Sequence, residues 1–283
     1  MGTTGCVPVR VPAARFAVAF VCALTLWPAT LLGEDVPVRY PEGIVHGFLV
    51  LRALDGSALA SGDLIQTSRG DRVTVRLVFR FKDGSVQDET AVYSQRRTFR
   101  LISNHLIQKG PAFPRPLEMT VSCDTGRVTV RYSDDGQQKV AEEQMELPPD
   151  LANGMILTLL KNLGRDQSAL KMSMVAATPK PRLVKLEVAG EGEDEFHVGG
   201  SLRKATRYVV KIEIGGLAGL IAPLLGKDPP DSHVWILRGE APAFVRSEQP
   251  LYLGGPMVRI ELTSPVWPRS KEAAPKPPAA KAR

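Results

Sequence analysis

The chain has 283 residues, 43% of them hydrophobic, with 36 basic against 30 acidic side chains and a formal net charge of +6. The excess sits at the two ends. Residues 1–33 hold Arg10 and Arg15 and no acid, and Arg269–Arg283 hold five basic residues against Glu272, which leaves 29 basic and 29 acidic residues in between. A neutral body excludes the basic footprint that nucleic-acid binding requires.

In chain order, Arg10 and Arg15 precede an apolar run, Phe16–Trp27, closed by Pro28 and small residues. This is the arrangement of a secretory signal peptide over residues 1–33. Phe16–Gly33 also spans 18 residues, the lower limit for a membrane crossing, so an uncleaved signal anchor is the alternative. Without this segment Cys123 is the one cysteine left, and no internal disulfide can form. None of Asn104, Asn153 and Asn162 begins a glycosylation sequon. For an exported chain, both absences point to a bacterial periplasm or cell envelope. Cys123 itself reads as a small apolar strand residue.

Residues 34–268 read as a single antiparallel β domain. Short alternating stretches are separated by Asp55-Gly56, Asp83-Gly84, Asp124-Thr125-Gly126 and Asp135-Gly136, which predict hairpins with type I′ turns. Val73, Val75, Leu77, Phe79 and Phe81 face one way and Arg76 and Arg80 the other. Val128, Val130 and Tyr132 alternate likewise with Arg127, Thr129 and Arg131. One face of the sheet is therefore apolar and the other charged. The proline-stiffened loop Lys109–Pro116 must leave the sheet. Asp88-Glu89 and Glu142-Glu143 are neighbours on strands, so each pair is split between opposite faces and forms no carboxylate dyad.

Leu147–Gly164 is the one stretch with helical periodicity. Pro148 and Pro149 exclude helix before them, Asp150 is placed to cap, and Leu151, Met155, Ile156, Leu159, Leu160 and Leu163 share one face. Asn162 and Gly164 form the stop, with Lys161 near the negative end of the dipole. The expected helix covers about residues 150–163. Strand grammar then resumes: Met172 and Met174 alternate with Lys171 and Ser173, Val184, Leu186 and Val188 with Lys185 and Glu187, and Tyr208, Val210, Ile212 and Ile214 with Arg207, Lys211 and Glu213. Val258, Ile260 and Leu262 alternate with Arg259 and Glu261. Gly215–Lys227 breaks the pattern as an apolar connector or flap, and 269–283 is a basic Ala/Pro/Lys tail with nothing to fold around. The fold expected is mainly β: one large curved antiparallel sheet, a half-barrel or open barrel, wrapped around one central amphipathic helix. A β-sandwich is the alternative, disfavoured because a sandwich already covers both inner faces.

Catalytic motifs are missing. Gly226-Lys227 lacks the glycine and the Ser/Thr of a phosphate loop, there is no G-x-S-x-G, and two S-x-x-K matches stand without companion signatures. No catalytic residue and no cofactor is assigned. Asp228, Asp231 and His233 are the least poor metal candidate, with solvated turn residues as the competing explanation. An apolar ligand site between sheet and helix would be lined by Leu151, Met155, Leu159, Met172, Met174, Leu217, Leu220 and Leu224, the methionines adapting readily to a lipid.

The export signal, long antiparallel meander, mid-chain amphipathic helix and absent catalytic motif together resemble the periplasmic half-barrel proteins of Gram-negative bacteria, including the lipoprotein carriers LolA and LolB. The resemblance is one of element order over Arg39–Leu262. It implies an apolar-lined open barrel over a lipid cavity, with Leu147–Gly164 as plug and Gly215–Leu225 as a second lid. The expected function is that of an exported, non-enzymatic envelope protein that binds or chaperones a lipid, an acyl chain or a hydrophobic segment. The alternatives are an assembly factor with a dry core, touching an anionic envelope surface through its basic tail, and a metal-dependent enzyme.

Overall fold

The computed structural model describes residues 1–2, 35–134, 136–164, 169–198, 200–213 and 230–264. The chain divides into two units, Met1–Leu31 and Leu32–Arg283, and the fold described below belongs to the second. Residues 3–34, most of the segment expected as a signal peptide, the stretch 214–229 and the chain from residue 265 lie outside the described residues.

Eight strands come first: β1 (Val45–Ala53), β2 (Ala58–Arg69), β3 (Arg72–Phe81), β4 (Val86–Gln95), β5 (Phe99–Lys109), β6 (Leu117–Ser122), β7 (Arg127–Asp134) and β8 (Gln137–Gln144). The helix α1 (Ile156–Asn162) follows, then β9 (Ala169–Ala176), β10 (Arg182–Val198), β11 (Ser201–Glu213), β12 (Ser232–Leu237), β13 (Ala243–Pro250) and β14 (Met257–Leu262). All fourteen strands form one sheet in the order β8-β7-β6-β5-β4-β3-β2-β1-β14-β13-β12-β11-β10-β9. Every adjacent pair is antiparallel, and β14 returns to pair with β1. This is an up-and-down open barrel with one seam, between β8 and β9. The connection that crosses the seam is the helical segment. A single sheet disposes of the sandwich alternative.

The hairpins form where the Asp-Gly pairs predict them, and pairing of Asp134 with Gln137 leaves the expected two-residue loop at 135–136, but the turns at Asp55-Gly56 and Asp83-Gly84 are of a different type. Gly56 and Gly84 have φ of 91° and 86°. Gly56 N–H donates to Ala53 O and Ala53 N–H to Ser57 O, with the same pattern at Phe81, Gly84 and Ser85. Three-residue loops closed by a left-handed glycine are type I turns with a bulge, not two-residue type I′ turns. Asp55 and Asp83 drive the choice: each carboxylate accepts the backbone N–H two residues on, from Ser57 and Ser85. Those bonds hold both carboxyls below the usual range.

The faces separate as expected. Outside, ion pairs run from strand to strand: Arg80–Asp63, Arg76–Asp88, His105–Glu118, Arg131–Glu118, Arg246–Glu261 and Arg52–Glu261. A barrel spanning a bilayer turns an apolar band outward, whereas here charged pairs cross the outer face. Inside are two apolar clusters, with Phe244 packed against both. The larger joins Val73, Tyr93, Met119 and Val130 to Leu186, Tyr208 and Ile236 through Met155, Leu159 and Leu160. Strands far apart in the sheet order meet there, which requires the sheet to curl. The smaller contains Leu49, Leu51, Phe79, Phe81, Phe113, Leu251 and Ile260. Lys109–Pro116 does leave the sheet, yet it turns back to bury Phe113 edge-on against Phe81 and Tyr252.

Gly62 is needed where β2 crosses under Phe79. A Cβ there would lie 2.5 Å from the ring and 3.0 Å from Leu49 Cβ. Gly62→Ala is expected to destabilise the domain by about 1–3 kcal/mol, the cost of overfilling a packed interior, read as a lower urea midpoint at unchanged slope.

Candidate functional site

The seam segment is held by chemistry that its sequence periodicity hides. The expected helix over about 150–163 is shorter, and Asp150 does not cap it: the residue before α1 is Met155, with no side-chain cap bond. Asp150 is buried, with Oδ1 accepting from Ser173 Oγ at 2.9 Å and Oδ2 from Lys185 Nζ at 3.3 Å. Residues 150–153 extend along the free edge of β9 instead of coiling. Ala152 N–H donates to Ser173 O at 2.8 Å and Ser173 N–H to Asp150 O at 3.1 Å. The Asn153 amide continues the ladder, donating to Val175 O and accepting from Val175 N–H, both at 2.9 Å. After Pro149, an extended run followed by a reversal at Gly154 (φ 69°) satisfies the β9 edge, which a helix from Asp150 would leave unpaired.

The other end is equally fixed. Asn162, fully buried, accepts Arg39 N–H and Tyr40 N–H on Oδ1 at 2.9 and 2.7 Å and donates Nδ2 to Thr158 O at 2.9 Å. Arg39 and Arg238 donate to the terminal carbonyls of Asn162 and Leu163. Lys161 pairs with buried Glu42 at 2.5 Å. Cations thus gather at the helix C-terminus, where the dipole favours them. No glycine stop is needed, because Leu163 leaves the helix in extended conformation.

Of the expected lining residues, Leu151, Met155, Leu159 and Met172 converge on one cleft at the seam, with Val36, Phe99, Arg100 and Leu170. Its cavity volume is about 10 Å³, space for one water at most. Met174 is half-buried against the same cluster. Leu217, Leu220 and Leu224, with the proposed second lid, lie outside the described residues. Leu151, Met155, Leu159, Leu160 and Leu163 are each 5% exposed or less. Lifting them out would cost about 1.5–3 kcal/mol apiece, together on the order of a whole domain's stability. The segment is a fixed plug, not a lid.

Inward residues that keep exposure lie elsewhere, on β14, β1, β2 and β3. Val45 and Leu262 are 42% and 52% exposed, and Leu64, Val75 and Leu77 are half-buried, Val75 against the larger cluster and the two leucines against the smaller. Pairing places Gly47, Leu64, Leu77, Glu89 and Leu106 side by side across β1 to β5. Glu89 is thus the one acid in an apolar inward row. Its Oε1 accepts from Asn104 Nδ2 at 2.9 Å, and burial pushes its carboxyl above the usual range. Asp88, its neighbour, points outward to Arg76, as strand alternation requires. Asn104 Oδ1 and Gln87 Oε1 are buried without a hydrogen-bond partner.

Because Glu89 retains its proton in the folded state more readily than in the unfolded chain, stability falls as pH rises from about 4.5 towards the folded pKa. Glu89→Gln is expected to remove that decline, so that the variant gains on the parent with rising pH in urea titrations between pH 4 and 8.

Asp231 and His233 have separate partners, Lys211 at 3.6 Å and Glu191 at 3.4 Å, and Asp228 lies outside the described residues. No group of three or more acidic, His or Cys side chains is arranged for a metal among the described residues. Cys123 lies just past β6, half-buried, its thiol pushed up to about 11 chiefly by burial, which suppresses thiolate chemistry. The sequence reading missed Glu89, Gln87 and Asn104 as lumen groups. The signal available was phase: Glu89 and Gln87 share the alternation of Ala91 and Tyr93.

Neither a protein-family model nor a curated protein matches the chain. Among solved structures it is similar to a β-barrel-like protein of a domain of unknown function, DUF1849, from Brucella abortus, at 11% identity over 80% of this chain and 97% of that one, with a TM-score of 0.42.

Proposed function

We propose that the protein is an exported, non-enzymatic envelope protein that holds an apolar or amphipathic ligand in the lumen of its open barrel. The observation that supports this reading is inward apolar surface left exposed at Val45 and Leu262, with Leu64, Val75 and Leu77 half-buried at the margins of the two clusters. Soluble monomers seldom leave such surface unused. The ligand would lie beyond the plug, not between α1 and the sheet, since the seam cleft has no room for an acyl chain. The basic tail, with Lys271, Lys276, Lys281 and Arg283, would add contact with an anionic envelope surface at about 1 kcal/mol per charge.

The test is uptake of a fluorescent acyl probe by lipid-stripped protein. Saturable uptake that Leu77→Glu weakens at least tenfold is expected. No uptake, together with no lipid extracted from the purified protein, would refute the reading. The second reading, an assembly factor working through its surface, is favoured by the dry seam and the fixed plug, and would stand in that event.

A further inference from the structure

We propose that the lumen selects amphiphiles carrying a protonated amine, with Glu89 as counter-ion and Asn104 and Gln87 as auxiliary acceptors. The inference rests on the ligand-binding reading above and specifies its ligand class. Four observations lead to it. Glu89 stands in a cross-strand row between Leu77 and Leu106, so an alkyl stem lying on Leu64 and Leu77 would bring its head group to the carboxyl. The row from Gly47 to Glu89 crosses three strand spacings, roughly 14 Å, the reach of a medium alkyl chain. Asn104, 1% exposed, keeps Oδ1 without a donor, and Gln87, the next inward residue on β4, keeps Oε1 without one. Buried acceptors of this kind ordinarily have partners.

Among the described residues, Asn104 Oδ1 and Gln87 Oε1 meet no donor. Leu77 and Val75 of β3, Leu106 and Asn104 of β5 and Gly154 of the plug face Glu89, and none of them titrates. No charged side chain among the described residues acts on its carboxyl. An ammonium group supplies both the positive charge and three N–H donors. Gly154 of the plug packs directly on this pair, since a Cβ at that position would stand 3.1 Å from Oε1 and 2.8 Å from Asn104 Nδ2, so an ammonium must reach the carboxyl from the Leu77 side.

The proton balance follows. In the free protein burial shifts Glu89 towards the carboxylic acid. Pairing with an ammonium requires the carboxylate, so the carboxyl releases one proton to solvent while the ammonium keeps its own. Affinity for the amine therefore rises with pH, by up to tenfold per unit, until the free carboxyl is itself ionised.

The experiment is calorimetric titration of the full chain with octylammonium, octanol and octanoate at about pH 4.5 and pH 8, each in two buffers of different ionisation enthalpy. Octylammonium, which stays charged below about pH 10 as a lysine does, is expected to bind at least tenfold more tightly than octanol or octanoate. It should also bind more tightly at the higher pH, and release protons at the lower. Glu89→Gln should reduce octylammonium to the affinity of octanol and abolish the pH dependence. Equal affinity for octylammonium and octanol in the parent protein, or unchanged octylammonium binding in Glu89→Gln, overturns the inference while leaving the apolar-ligand reading standing. If none of the three binds, both fall.

Discussion

Leu160→Ala will cost the domain about 2–5 kcal/mol, the range for emptying a buried leucine site. Leu160 is fully buried where α1 meets the large cluster of strands from both ends of the sheet order. Its neighbours cannot collapse into the space, because both ends of the plug are pinned. Asp150 and Asn153 bind β9, and Asn162 binds the backbone at Arg39 and Tyr40. The loss should therefore fall in the upper half of the range, read as a shift of the urea midpoint. A loss below about 1 kcal/mol would mean that the plug yields and the pinning is weak.

Asn162→Ala is expected to rival it, although it removes no apolar contact. The side chain serves three partners: two part-buried backbone N–H groups on the 39–40 segment and the buried Thr158 carbonyl. Each buried group left without a partner costs about 1–3 kcal/mol, so a loss on the order of 2–5 kcal/mol is expected. The segment before β1 should also loosen, giving faster amide exchange at Arg39 and Tyr40. Asn162→Asp keeps the acceptor for the two N–H groups but sets a carboxylate oxygen against the Thr158 carbonyl in a fully buried site, so the loss should be no smaller.

The sheet and its hairpins were legible in the residues because strand alternation is a strong physical signal. Val73 to Phe81 alternate against Arg76 and Arg80, and a half-buried antiparallel sheet demands that pattern. The Asp-Gly pairs located the turns, while the turn type depended on Asp55 and Asp83 binding their own backbone, which spacing alone does not distinguish. The length of the helix was less legible. Periodicity from Leu151 to Leu163 fits one helical face, but the β9 edge competes for residues 150–153, and that edge exists only once the barrel has curled. Asp150 looked like a cap for the same reason: an acid after two prolines has that role locally, and its buried partners, Ser173 and Lys185, arrive from 23 and 35 residues away. The candidate lining was legible in part. Leu151, Met155, Leu159 and Met172 do come together, but they close the seam and leave no cavity for an acyl chain. The lumen row was hidden because Glu89 is informative only beside Leu77 and Leu106, a neighbourhood fixed by register.

The central claim, that ligand enters the lumen beyond a fixed plug, is tested most directly by methyl NMR of the full chain titrated with octanol. Saturable shifts are expected at Leu64, Val75, Leu77 and Leu262, with Leu159, Leu160 and Met155 unmoved. Shifts centred on Met155, Leu159 and Leu163 would show that the plug opens as a lid, and no saturable shift at any inward methyl would show that the barrel carries no apolar ligand; either result contradicts the claim.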